Sequence, residues 1–166
     1  MDNRRNSGSG YGNKGPRSSN NKSNDTPVSN PRQSNSDMLK EVPLPDDYVS
    51  EAERVIGIIA GMKRNEQISS SKLRNLYSLI INACNADPVN AGEKLSRKSV
   101  NMLMSARVRM VYECGRDANV KEFVSTAKLI GYMKAIGDSS EKLTAYANYM
   151  EALVAYHRFY KLGGER

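Results

Sequence analysis

Between residues 46 and 160, apolar residues recur at helical spacing in five successive runs. No segment alternates polar and apolar residues long enough to predict a strand, and no Asn-Gly or Asp-Gly pair marks a hairpin turn. The runs therefore predict amphipathic helices joined by short connections. We expect residues 46–163 to form an all-α domain, a small antiparallel bundle of about five helices.

Polar residues and helix breakers set the expected helix boundaries. Serine, asparagine and aspartate are preferred at the N-cap, whereas glycine and proline end helices. The first predicted helix has candidate caps at Asp46-Asp47 and a possible capping box at Ser50 and Glu53. The other four begin near Ser69, Ser96, Asn119 and Asp138. The last four end at Pro88, Gly115, Gly137 and Gly163. We expect Gly115 to adopt the left-handed conformation that terminates the third helix.

The first 36 residues have a different composition, with eight Ser, eight Asn, four Gly and three Pro. Such a segment buries too little apolar surface to offset the entropy cost of ordering, so we predict that residues 1–40 form a disordered arm. Six basic and two acidic residues give its first 36 positions a net charge of +4, out of +7 for the whole chain. The arm is either a solvated tail or a non-specific RNA tether.

The chemistry that most enzymes need is absent from the sequence. The two cysteines and single histidine are too few for a four-ligand zinc site without several carboxylates. No nucleophile elbow, phosphate-binding loop or zinc-binding helix motif occurs. His157 falls on the core face of the last helix, and Cys84 and Cys114 fall on apolar stripes. We therefore expect no catalysis, no metal and no cofactor.

Targeting signals are also absent. No run of about twenty apolar residues is present to span a bilayer. The N-terminus lacks the apolar region of a secretory signal. We therefore expect a protein that stays in the cell and has no membrane partner.

The excess of basic residues favours a polyanionic partner. Arg107 is predicted at the centre of the third helix's apolar stripe, where it either pairs with a carboxylate such as Glu151 or contacts a phosphate. Arg109 points to the opposite side of that helix. Lys72 and Arg74 flank the second helix's apolar stripe, either as solvated edge charges or as phosphate contacts.

Two further features allow more than one interpretation. Arg116 either caps the last carbonyls of the third helix or projects towards a ligand. Tyr146, Tyr149, Tyr156 and Tyr160 are mostly core residues by spacing, although one or two of them are candidates for stacking on a base.

Several segments resemble one known family. The most specific are Ser70-Ser71-Lys72-Leu73-Arg74-Asn75-Leu76, Arg107-Val108-Arg109-Met110-Val111-Tyr112-Glu113-Cys114-Gly115-Arg116-Asp117 and Tyr149-Met150-Glu151-Ala152-Leu153-Val154-Ala155-Tyr156. Together, and in this order, they resemble the small all-helical subunit of type III-A CRISPR Csm effector complexes. The resemblance covers about residues 46–163 and does not include the arm.

The resemblance implies a non-catalytic structural subunit in the cytoplasm of a prokaryote. Copies of such a subunit stack as an inner filament against the backbone subunits that hold the CRISPR guide RNA. The filament contacts the target RNA paired to that guide, while cleavage belongs to the backbone subunits and to the large polymerase/cyclase-like subunit. The implied RNA-binding positions are Lys72, Arg74, Arg107, Arg109, Arg116 and Arg158, acting on the RNA backbone.

Two other functions fit the same sequence. A helix-turn-helix-like DNA-binding regulator is also small, helical and basic, but its recognition helix carries exposed base-reading residues. A generic helical adaptor would bind protein partners and show no salt-dependent affinity for nucleic acid.

Overall fold

A computed structural model describes residues 35–87 and 92–163. Its helices are α1 (Asn35–Met38), α2 (Tyr48–Ala60), a 3-10 turn (Arg64–Glu66), α3 (Ser70–Cys84), α4 (Arg97–Arg116), α5 (Ala118–Thr126), α6 (Leu129–Lys134) and α7 (Ser140–Phe159). The described residues include no β-strand, which confirms the predicted all-α class. None of the helices in these two ranges is long and apolar enough to cross a membrane.

Helix α7 lies at the centre of the packing. It packs against α2 and also against α3, and α3 in turn packs against α4. Helix α4 also contacts α5 and α6. Ile56, Ile80, Met110, Phe123 and Met150 are completely buried where these helices meet. Burying each such side chain stabilises the fold by roughly 1.5–3 kcal/mol, so the helices derive most of their stability from this shared core.

Local capping signals begin the helices within one turn of the predicted positions. Ser69 and Ser96 are N-caps as predicted, and their hydroxyls accept hydrogen bonds from the amides of Lys72 (3.3 Å) and Ser99 (3.1 Å). Asp47, one of the candidate caps of the first helix, is the N-cap of α2. Helices α5 and α7 begin with the N-caps Asp117 and Ser139 instead of Asn119 and Asp138. In these two cases a neighbouring side chain caps the helix, a choice that local sequence does not distinguish.

Gly115 does not terminate α4, contrary to the prediction. It lies inside the helix, which continues to Arg116. The helix ends because Asp117 is extended (φ −139°) and its side chain accepts hydrogen bonds from the amides of Asn119 and Val120. Asp117 is therefore both the C-cap of α4 and the N-cap of α5.

The predicted fourth helix is two helices, α5 and α6. The break follows Ala127, and Lys128 adopts a left-handed conformation (φ 51°). Two buried tyrosines of α7 bond to carbonyls beside the break: Tyr149 donates to Ala127 (3.0 Å) and Tyr146 donates to Leu129 (3.1 Å). These bonds satisfy the two carbonyls beside the turn. Because the donors lie on another helix, the sequence around the break does not predict them.

Residues 35–45 form a segment that we call the N-terminal strap. Residues 1–34 of the predicted arm lie outside the described residues, and its last residues form α1 (Asn35–Met38) followed by a turn. Met38, Val42 and Leu44 pack against the core. The Val42 amide donates to the Gly131 carbonyl (3.2 Å), and a Cβ atom at Gly131 would lie 2.6 Å from the Lys40 carbonyl oxygen. The strap therefore lies directly on the backbone of α6.

Candidate nucleic-acid interface

Three of the six predicted RNA-binding residues line one groove between α3 and α4, which we call the basic groove. These are Lys72, Arg109 and Arg116. The groove has a volume of about 580 Å³, and its other lining residues are Asn75, Leu76, Ser78, Leu79, Glu113 and Val120. The packing of α3 against α4 creates it, so residues far apart in sequence share one surface.

Helix geometry places each basic side chain in the groove. Lys72 lies in the first turn of α3, close to the start of α5. Arg109 and Arg116 are seven positions apart on α4, which is about two helical turns, so they project from the same side. The result is one cation on the α3 wall and two on the α4 wall.

The Lys72 ammonium group is already paired. It forms an ion pair with the Asp117 carboxylate, and that carboxylate also caps α5. The Lys72 contact and the amide of Val120 hold the pKa of Asp117 below its usual range. Part of the Lys72 charge is therefore neutralised before any ligand arrives.

The two arginines provide more accessible charge. Arg116 is 62% exposed, lies 3.7 Å from a Glu113 carboxylate oxygen and has its guanidinium carbon 5.4 Å from the centre of the Tyr112 ring. That distance is within cation–π range and leaves the edges of the fork open to an anion. Arg109 is exposed and makes no ion pair with another described residue. The open positive charge of the groove therefore comes mainly from α4.

The other three predicted residues lie elsewhere. Arg74 is two positions from Lys72 and therefore projects from a different side of α3. Arg107 is two positions from Arg109 and therefore projects from a different side of α4. Arg158 lies in the last turn of α7. None of them is among the described residues that line the basic groove.

Arg107 lies beside the buried stripe of α4 and not at its centre, which corrects the prediction. The buried residues of α4 are Ser99, Leu103, Ala106, Met110 and Cys114. The predicted stripe residues Met104 and Val111 are instead 47% and 40% exposed. The completely buried Ser99 hydroxyl donates to the Ala83 carbonyl (2.6 Å), and this bond helps to set the rotation of α4 against α3.

The predicted alternative partner of Arg107 is not used. Arg107 is half-buried, and the ion pairs among the described residues do not include one between Arg107 and Glu151. The arginine thus lies at the edge of the packed face of α4 without the carboxylate partner that the sequence suggested.

Tyr112, which the sequence did not single out, lies beside the basic groove through its contact with Arg116. The ring is 60% exposed and contacts Arg116 four positions later. This spacing is itself a signal, because residues i and i+4 of a helix lie side by side. Asn75 and Ser78, one helical turn apart on α3, add polar groups to the opposite wall.

The single histidine and the two cysteines are structural residues. His157 is 1% exposed, with Nε2 2.9 Å from the Ile68 carbonyl oxygen, which confirms a satisfied interior histidine. Burial raises the pKa of the Cys114 thiol to about 11 and also raises that of Cys84. Both thiols are therefore protonated at neutral pH and are poor nucleophiles.

Two other predictions concern the tyrosines and metal binding. Tyr146 and Tyr149 are buried core residues as predicted, whereas Tyr160 is 46% exposed.

Within residues 35–87 and 92–163, no cluster of three or more His, Cys, Asp or Glu side chains is arranged to hold a metal ion.

Comparison with known proteins identifies the family. The family model described as "Csm2 Type III-A" matches residues 45–162. A "CRISPR system Cms protein Csm2" of Mycobacterium tuberculosis strain H37Rv is 36% identical over 116 residues, which span 70% of this chain and 93% of the relative. The Streptococcus thermophilus protein of the same name is 34% identical, over 69% of this chain and 92% of the relative. An Enterococcus italicus relative is 31% identical over 98 residues.

The family match covers the whole helical domain from the start of α2 to the end of α7, including the basic groove. The strap up to residue 44 precedes it. Because the model matches most of the chain and two of these relatives are matched over nearly their entire length, the chain belongs to the Csm2 family of type III-A CRISPR systems, the small structural subunits of Csm complexes.

Proposed function

We propose that this protein contacts RNA phosphates within a type III-A Csm complex through its basic groove and acts there without catalysing a reaction. The observation that carries the proposal is the convergence of Lys72, Arg109 and Arg116 on one groove. These residues lie on two helices and were predicted separately from the sequence. Their convergence places three cations within reach of one polyanionic strand.

The chemistry of the groove favours phosphates over base edges. A guanidinium fork donates two parallel hydrogen bonds to a phosphate, and Arg109 and Arg116 both have exposed forks. Asn75 on the α3 wall can donate hydrogen bonds to phosphate or ribose oxygens, whereas the Ser78 hydroxyl already donates to the Asn75 carbonyl (2.8 Å). Contacts of this kind fix the path of a strand without reading its sequence, as a subunit that serves any guide RNA requires.

The proposed setting is the one that the family resemblance implies. Several copies stack as an inner filament in a prokaryotic cytoplasm, beside the backbone subunits and the large polymerase/cyclase-like subunit, along the paired guide and target RNA. Each copy then needs only a few salt-sensitive phosphate contacts, because repetition along one RNA multiplies weak affinities. Family membership favours this function over a DNA-binding regulator or a generic adaptor.

Arg74, Arg107 and Arg158 have a secondary place in the proposal. They lie outside the basic groove, so one straight strand in the groove does not reach them all. We assign them to RNA passing over neighbouring faces of the body, and we expect smaller individual effects from their removal.

The test compares single arginine substitutions in the full-length chain. Arg109→Gln and Arg116→Gln are measured by fluorescence anisotropy with a single-stranded RNA at several salt concentrations, with circular dichroism to verify folding. Each should weaken binding several-fold and lower the salt slope by about 0.7, the value for one phosphate contact on a single strand. Arg107→Ala should have a smaller effect.

Lys121→Gln is the matched control. Lys121 is an exposed cation on α5 that does not line the basic groove, so its substitution removes the same charge from another surface. If Arg109→Gln and Arg116→Gln bind RNA as tightly as Lys121→Gln at low salt, the proposal is wrong.

A further inference from the structure

Two rows of side chains on the outer face of α4 form a second groove, which we call the outer groove. Each row has the i, i+4 spacing of a ridge on a helix surface. One row is Met104, Val108, Tyr112 and Arg116, and the other is Asn101, Ser105, Arg109 and Glu113. The groove has a volume of about 920 Å³, and all the residues that line it belong to α4. It is therefore a surface of one helix that the packing of the described helices leaves open.

The first row gives the outer groove an apolar wall. Met104, Val108 and Tyr112 are 47%, 69% and 60% exposed. Single exposed apolar residues are ordinary, whereas a contiguous exposed patch is typical of a binding surface. A ligand for this wall must therefore bring an apolar surface of its own.

The second row gives the outer groove a polar wall that favours an anion. Asn101, Ser105 and Arg109 are exposed and can supply hydrogen-bond donors. The charged residues of the groove are two arginines, Arg109 and Arg116, and the carboxylate Glu113, which gives a net charge of +1. Because Glu113 lies 3.7 Å from Arg116 and offsets part of its charge, the open charge of this wall comes mainly from Arg109.

Tyr112 and Arg116 provide planar groups at one end of the apolar wall. The guanidinium carbon of Arg116 lies over the Tyr112 ring, 5.4 Å from its centre. Unpaired bases stack on aromatic rings and on guanidinium planes. A nucleotide is apolar on the face of its base and anionic at its phosphate, so its chemistry matches the two walls of the groove.

The outer groove and the basic groove share Arg109, Glu113 and Arg116. The two arginines thus lie between the grooves, and a strand that contacts them from the basic groove can place a base on their other side. A protein partner in the outer groove would have to bury both exposed guanidinium groups, which is costly unless it supplies matching carboxylates. The shared arginines therefore favour a nucleic acid as the occupant.

We propose that the outer groove binds an unpaired base of single-stranded RNA, stacked on Tyr112 and Val108. The inference rests on the proposed function, because the ligand is the same RNA, and it adds a contact with the base itself. Stacking accepts every base, since each has a flat aromatic face. A base inside a duplex is already stacked and paired, so the groove distinguishes an unpaired nucleotide from a base pair.

The test compares two short single-stranded RNAs with the full-length chain. One is an oligouridylate, and the other is the same oligomer with abasic ribose at alternate positions, which keeps every phosphate. Fluorescence anisotropy at low salt should show that the wild type binds the intact RNA about fivefold or more tightly than the abasic one, because stacking is lost with the bases.

Tyr112→Ala should remove that preference and bind both RNAs with the wild type's affinity for the abasic RNA. Its salt slope should stay at the wild-type value, because no phosphate contact is lost. If Tyr112 acted only by positioning Arg116, the slope would fall by about 0.7 instead. Tyr112→Phe retains the ring and should bind like the wild type.

Val108→Ala and Val111→Ala are a matched pair of variants on α4. Both valines are exposed, but only Val108 lines the outer groove. Val108→Ala should reduce the preference for the intact RNA, and Val111→Ala should leave it at the wild-type value. Circular dichroism verifies that each variant is folded.

Three results would overturn the inference. They are a wild type that binds the intact and abasic RNAs equally or binds neither, a folded Tyr112→Ala that keeps the preference, and a Tyr112→Ala whose only change is a lower salt slope. If Tyr112→Ala keeps the preference but no longer assembles with other Csm subunits, the outer groove is a protein surface.

Failure of base stacking and failure of the proposed function give different results. Loss of the preference in Tyr112→Ala, with unchanged binding by Arg109→Gln and Arg116→Gln, would support stacking and refute the phosphate contacts. Weaker binding by the two arginine variants, with no preference for the intact RNA in the wild type, would do the reverse.

Discussion

Lys72 and Asp117 form an ion pair between the first turn of α3 and the junction of α4 and α5, across 45 positions of the sequence. The same carboxylate caps α5 through the amides of Asn119 and Val120. Asp117 therefore holds one wall of the basic groove in place and reduces its positive charge at the same time.

Asp117→Asn should separate these two effects. Asparagine caps helices as well as aspartate does, so the helix junction is retained, while the exposed ion pair contributes only about 0.2–1 kcal/mol to the free energy of unfolding. Stability should fall by that small amount and RNA affinity should rise, because the Lys72 charge becomes available to phosphate. Urea unfolding and RNA anisotropy measure the two quantities.

Asp117→Ala is the companion variant, since it removes both the ion pair and the cap. Its free energy of unfolding should fall by about a further 1 kcal/mol. Equal or weaker RNA binding by a folded Asp117→Asn would show that Lys72 does not contact RNA.

The acid side of the stability profile should depend on capping carboxylates. The pKa of Asp117 is lowered by Lys72, and that of Asp47 is lowered by its hydrogen bond with Ser50, from an ordinary value of 3.8. A carboxyl whose pKa is lower in the folded state contributes stability above its unfolded pKa and loses it as the pH falls through the folded value. Unfolding free energy should thus decrease below about pH 4, and less steeply in Asp117→Asn. Identical slopes for the two proteins would contradict this assignment.

Gly131→Ala should detach the strap. The added Cβ would lie 2.6 Å from the Lys40 carbonyl oxygen, where backbone must move to accommodate it. We expect a loss of about 1–3 kcal/mol in the free energy of unfolding, together with new proteolytic cleavage in residues 38–46. Gly57→Ala is the control, because nothing lies within 4 Å of its Cβ position on α2. Protease resistance equal to that of the control would show that the strap does not depend on this close approach.

Gly115→Ala tests whether the glycine is inside α4 or terminates it. No atom lies within 4 Å of the added Cβ and the residue is helical, so alanine should raise stability by about 0.5–1 kcal/mol. Gly163→Ala should do the reverse, because Gly163 has φ +75° and its Cβ would overlap the Ile68 carbonyl oxygen. Thermal unfolding compares the two. Destabilisation by Gly115→Ala would favour a left-handed terminator.

Removal of residues 1–34 should leave the helical body folded. The described core contacts begin with Met38 in the strap, so the truncated chain should melt as cooperatively as the full chain. The removed segment contains six basic residues and two acidic ones. If it is an RNA tether, the salt slope of RNA binding should decrease; if it is a solvated tail, the slope should not change. Loss of the cooperative transition would contradict the predicted domain boundary.

The helical class and most helix boundaries follow from local signals. The spacing of apolar residues is visible within each segment, and the Ser69 and Ser96 caps act on amides three positions away. Interactions of such short range need no knowledge of the fold. The burial of His157 and Cys114 was predictable for the same reason, since both fall on apolar stripes.

Rotation and breaks of helices depend on contacts between segments. The hydroxyl of Ser99 bonds to Ala83, and the α4 face that packs inward leaves Arg107 at its edge. Tyr149 bonds to the carbonyl of Ala127 beside the break between α5 and α6. A periodic pattern within a single helix is consistent with several rotations, so it placed Arg107 at the centre of the apolar stripe, whereas the residue lies at the edge of the buried face.

The sequence by itself determined the all-helical class, the family and the six basic residues that were candidates for RNA contact. Only the tertiary structure decided that Lys72, Arg109 and Arg116 share one groove while Arg74, Arg107 and Arg158 lie apart from it. The physical reason is that helix formation depends on neighbours along the chain, whereas a binding surface depends on which helix faces remain after the core has packed. Those faces are set by distant partners such as α3 and α4, whose packing no local pattern records.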